Sequence, residues 1–102
     1  MRIYGTVNTR QVYFDNDKDI VELNPKHSQN VYNHSPDGFN WGYGGSGPSQ
    51  LALAILLVLV DKEQAVKFYQ DFKWKFIATL NQNHNFEIEI NAIREWLAVK
   101  IN

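Results

Sequence analysis

The chain contains no cysteine, which removes disulfides, thiol nucleophiles and thiolate-bound zinc from consideration. It has no excess of charge either. Ten Lys and Arg stand against eleven Asp and Glu, for a formal net charge of −1. Duplex nucleic acid and anionic lipid are therefore not expected as partners, because both call for a basic footprint. Long hydrophobic runs are also missing. The longest, Leu51 to Val60 (LALAILLVLV), falls well short of the roughly 20 residues that span a bilayer. The start, MRIYGTVNTR, has no apolar stretch of signal type, so no membrane is expected and the protein reads as cytoplasmic.

What is present describes a small globular chain. Its 102 residues are 44% hydrophobic, 14% aromatic and 21% charged, enough for a single domain over residues 1–102. At this size folding buries about 65% of the unfolded surface, which is one core. Charge is distributed unevenly. Between His27 and Val60 the one charged residue is Asp37, and Gly38, Gly42, Gly44, Gly45 and Gly47 crowd into that quiet stretch.

Alternation of apolar and polar residues predicts a hairpin from Arg2–Val7 and Gln11–Phe14 around an Asn8-Thr9-Arg10 bend. Ile20–Leu23 adds a short strand. Asn24–Ser46 reads mostly as loop, since Pro25, Pro36 and the glycines interrupt any period. The apolar run predicts a buried helix from Pro48 to Val60, with Leu53, Leu56 and Leu57 near its centre. Asp61 is placed as N-cap of a second helix, with Gln64 in capping-box position. An inner stripe of Ala65, Phe68, Tyr69, Phe72, Phe76 and Leu80 supports it, although Phe72–Phe76 also alternates like a strand. Phe86, Ile88 and Ile90 predict a late strand, and Asn91 is placed as cap of a last helix. The fold class is α+β. A small antiparallel sheet, the N-terminal hairpin plus a late strand, packs against a buried apolar helix and two further helices. An all-round apolar helix in so small a chain also allows a homodimer.

Gly42-Tyr43-Gly44-Gly45-Ser46-Gly47 satisfies G-x-G-x-x-G and runs into a helix. Successive backbone N–H groups at a helix start form a concavity for anions. No strand precedes it and the chain is too short for a doubly wound sheet, so it is no dinucleotide fingerprint. Pro48 and Ser49 stand where a P-loop needs Lys and Ser or Thr, which argues against phosphoryl transfer. The plain reading is a turn needing positive φ at several glycines so that the loop can reach a buried helix. Gly44, Gly45, Ser46, Gly47 and Ser49 are the candidate ligand-binding residues. His34 and Tyr43 are candidates for the rim, and Trp41 for a stacking face or, more simply, a packed core aromatic.

Other patterns lead to simpler readings. His27, His34 and His84 have no metal-ligand spacing, and no G-x-S-x-G elbow accompanies Ser46. No metal and no cofactor is expected. Asp15, Asp17 and Asp19 open like an EF-hand loop, but Ile20 and Lys26 occupy the positions of its Gly and Glu. Lys67, Lys73 and Lys75 read as a solvated helix face.

The stretch Val31–Leu57 resembles a family of small domains of unknown function found in bacteria and in phage or prophage genomes. The resemblance rests on Asn33-His34-Ser35-Pro36, Gly38-Phe39, Trp41 to Pro48 and Gln50 to Leu56, with Tyr69–Lys73 and Trp96-Leu97 as further landmarks. It implies that Asn33–Gln50 is a defining element and supplies no activity. The expected function is a small binding module that recognises an anionic or phosphate-bearing small molecule at the glycine loop. The alternative is a protein-interaction module, phage-encoded, docking on a host protein through its aromatic loop. An enzyme is the least favoured class, because no acid–base pair is visible.

Overall fold

The computed structural model describes residues 1–101. Strands β1 (Arg2–Gly5), β2 (Val12–Asp15), β3 (Ile20–Glu22) and β4 (Phe86–Glu89) form one antiparallel sheet in the order β3-β2-β1-β4. The hairpin register pairs Ile3 with Phe14 and Gly5 with Val12; β4 returns from the far end of the chain to pair Ile88 with Ile3. Ile3, Gly5, Val12, Phe86 and Ile88 are buried on one face. Arg2, Tyr4, Tyr13, Glu87 and Glu89 lie on the other, as period-two alternation requires.

The helical layer covers the buried face. It comprises α1 (Pro25–Val31), α2 (Ser46–Leu59), α3 (Lys62–Phe72) and α4 (Ile90–Ile101). Helix α2 is the centre of the molecule, with every residue from Gly47 to Leu56 buried and α1 and α3 on its flanks. One chain supplies that cover, so burial of α2 does not depend on a second copy. The α+β class expected from the sequence is the one observed.

Four local expectations are corrected. Asn24–Ser46 is not all loop: Asn24 caps α1 by accepting from the Lys26 amide at 3.0 Å, and Pro25 takes the first helical position. A proline there sacrifices only an amide that has no helical partner, so it starts a helix and does not break one. Helix α2 begins at Ser46, two residues before Pro48, by the same first-turn tolerance. The second predicted helix does not run evenly to Leu80. It passes at Lys73–Ile77 into a π-helical turn, and no strand forms there. Helix α4 starts at Ile90 directly from β4, which places Asn91 inside the helix and not at its cap. Asp61 does cap α3, accepting from the Gln64 amide at 2.8 Å.

Candidate functional site

The glycine block is a strap laid over the start of α2. Gly42 begins it with φ +85°, and its amide donates to Ile77 O at 3.0 Å. A β-carbon on Gly42 would stand 2.5 Å from the Gln82 backbone nitrogen. Gly45, the α2 N-cap, has φ −101° and needs no left-handed conformation; what a β-carbon there would meet is the Tyr43 ring. The expectation of several positive-φ glycines in the block therefore narrows to Gly42. Gly42→Ala is expected to lower stability by about 1–3 kcal/mol, because main chain and dihedral both resist it. Gly45→Ala should cost less than about 1 kcal/mol, since an exposed phenol can swing aside. Urea unfolding of both variants checks the contrast, and equal losses would contradict this geometry.

The strap opens onto a polar groove of about 580 Å³. Tyr43, Ser46 and Gly47 form one part of its wall, and Arg10, Asp37 and Asn40 another. Among the described residues, no acceptor in the chain meets the amides of Ser46 and Gly47, and the first turn of α2 carries no acidic residue. Both features leave the positive end of the helix dipole uncompensated. Arg10 sits in the β1–β2 turn at φ +58°. Its guanidinium lies 4.5 Å from the Trp41 ring centroid, and Nη2 donates to Gln82 O at 2.7 Å. Nη1 is buried without a partner, the one such side-chain atom among the described residues. Trp41 is itself fully buried, donates from Nε1 to His84 O at 3.1 Å, and meets Phe86 edge-on.

A second polar cluster adjoins the groove at Ser35. Gln50 is fully buried on α2, and Oε1 accepts from the amides of His34 (2.8 Å) and Ser35 (3.0 Å). Its Nε2 donates to Ser28 Oγ (2.9 Å) and Tyr32 O (3.1 Å), so one side chain pins α1 and the following loop to α2. His34 stacks on Tyr32, and its Nε2 lies 2.6 Å from the Tyr69 hydroxyl. Burial lowers the His34 pKa, and the Lys73 ammonium adds to the effect, so the imidazole is neutral at pH 7. The Lys73 stem is buried, with Nζ 4.3 Å from the Trp74 ring centroid. Trp74 in turn lies against Gly44.

Residues 4–99 match a family model described as a family of unknown function, DUF6166. The chain belongs to that family. No curated protein and no solved structure matches it. Within this DUF6166 domain the eight residues picked from sequence do not form one cluster. Tyr43, Ser46 and Gly47 line the groove, whereas Gly44 and Gly45 lie outside its lining, beside the Trp74 and Tyr43 rings.

Three placements are corrected. Ser49 does not join the donors at the groove; it is buried and its hydroxyl faces Gln70 Oε1 at 3.4 Å, since it projects from the α3-facing side of α2. His34 is not among the groove-lining residues: Gln50 and Tyr69 hold it in the second cluster, although its neighbour Ser35 does line the groove. Trp41 offers no stacking face to a ligand; it supports Arg10 from below. Sequence reasoning missed Arg10, Asp37 and Asn40 on the groove. Only Asp37 left a signal there, as the one charge in an otherwise neutral stretch of the DUF6166 chain.

Proposed function

We propose that the domain is a binding module for a small polar ligand bearing an anionic group, held in the groove at the start of α2. The observation that carries the reading is Arg10. A cation stacked on a buried tryptophan, with one nitrogen lacking any acceptor, stands in the wall of the groove onto which free helix amides open. An anionic group beside it completes the guanidinium after a small shift on the Trp41 face. Ser46 and Gly47 supply backbone donors from the other wall, and Tyr43 a phenol. Asp37 lines the same groove, so the favoured ligand also carries a hydroxyl or amine donor. That combination selects sugar phosphates and similar molecules over bare anions.

A thermal-shift panel of inorganic phosphate, sugar phosphates and nucleotides tests this. A ligand at a hundred times its Kd adds about 2.7 kcal/mol of stability. Ser46→Asp should abolish the shift yet leave the unliganded melting temperature unchanged or raised, because a carboxylate in the first helical turn is favourable by about 0.3–1 kcal/mol. An unfolded Ser46→Asp variant, or silence across the panel, sinks the reading. Silence would favour the second one, docking of a protein through the aromatic strap. It draws on the exposure of Tyr43 and Trp74, which flank Gly44.

A further inference from the structure

Strand β3 closes one edge of the sheet, and among the described residues no strand lies beyond it. The β2–β3 register pairs Phe14 with Val21, and hydrogen bonds run from Asn16 N to Asp19 O and from Leu23 N to Val12 O. In an antiparallel ladder the intervening residues turn their main chain the other way. The N–H and C=O groups of Ile20 and Glu22 therefore point off the edge, free to pair.

Different surroundings flank that edge on its two faces. On the helical side runs an apolar groove of about 380 Å³, bordered by Phe14, Val21, Leu23, Ala54 and Val58. Val21 and Val58 are 54% and 48% exposed, so the groove lacks a cover. On the open face Glu22 shares a row with Tyr13, Tyr4 and Glu87, and Ile20 lies beside Asp15. Asp15, Asp17, Asp19, Glu22, Glu87 and Glu89 all sit on the strands or the β2–β3 turn, opposed there by Arg2 and Lys18. A chain of nearly zero net charge thus has a sheet that is acidic.

We propose that the β3 edge receives an extended segment of a partner protein as a fifth strand, with apolar and basic side chains in alternation. Backbone pairing with Ile20 and Glu22 supplies the docking, as in strand addition generally. Side chains directed to the helical side fill the groove. Those directed to the open face extend aliphatic stems over Ile20 and bring cationic heads to Glu22 and Asp15. The protein's own Arg2 already demonstrates this recognition. Its guanidinium lies 4.6 Å from the Tyr4 ring centroid and reaches Asp15 at 3.4 Å and Glu87 at 3.0 Å. A second copy of the same edge is the wrong occupant, because it would bring two acidic sheets side by side without supplying basic side chains for Glu22 and Asp15.

The test uses a fluorescent peptide of alternating Lys and Val, and a control of the same composition with its lysines in one block. The alternating peptide should bind saturably and slow hydrogen exchange at the Ile20 and Glu22 amides. Glu22→Lys should weaken it at least about tenfold, as should raised salt in part, and Glu22→Gln should fall between. Absence of binding at millimolar peptide overturns the proposal. Equal affinity for the block control also overturns it, since charge alone would then suffice. So does protection that omits Ile20 and Glu22, or protection of those amides by self-association without peptide.

Discussion

Gln50→Leu should destabilise the protein by about 3–5 kcal/mol, despite the close match in side-chain volume. The loss comes from what the amide leaves behind. Gln50 is fully buried and uses both ends, accepting from two loop amides and donating to Ser28 Oγ and Tyr32 O. A buried donor or acceptor without a partner costs about 1–3 kcal/mol. Ser28 is fully buried; the His34, Ser35 and Tyr32 groups are nearer water and recover part of their loss, so the total stays below four full penalties. Urea unfolding measures it, and a loss under about 1 kcal/mol would mean the loop holds its place without the peg.

Leu56→Ala should lower stability by about 2–5 kcal/mol, through lost apolar transfer and an unfilled cavity. Leu56 has no exposed surface, and the elements packed around α2 cannot collapse onto a void at its centre without dragging the sheet or α3 with them. Hydrogen exchange supplies an independent check. The α2 amides should open only with global unfolding, so α2 among the first elements to exchange would contradict its place at the core.

The elements most legible in sequence were those whose signal is local. The Asp61–Gln64 capping pair, the Phe86–Ile88 alternation and the ten-residue apolar run each encode their structure within a few positions, and each is where it was expected. Leu57 and Val58, at the end of that run, are less buried than an unbroken apolar stretch implies, and Val58 borders an open groove beside the sheet. Helix α1 was illegible for a simple reason. Pro25 either breaks a helix or begins one, and only the Asn24 side chain decides between them. The candidate site was half legible. Glycine, serine and tyrosine next to an apolar helix marked one wall of the groove, but Arg10 arrives from a hairpin turn that no spacing rule connects to residue 46. Tyr69 and Lys73 reach His34 by the same kind of long-range packing, which a one-dimensional reading does not see.

The position of β1 has a consequence for synthesis on the ribosome. This first strand lies inside the sheet and takes as one of its two partners β4, near the end of the chain. The apolar α2 is translated before α3, β4 and α4, three of the elements that complete the fold. A nascent chain therefore carries its greasiest segment incompletely covered until α3, β4 and α4 have been made. Folding is expected to wait for β4 and α4 and to be slowed by the long loop that the β1–β4 pairing closes, with the unfinished chain a natural client for holdase chaperones.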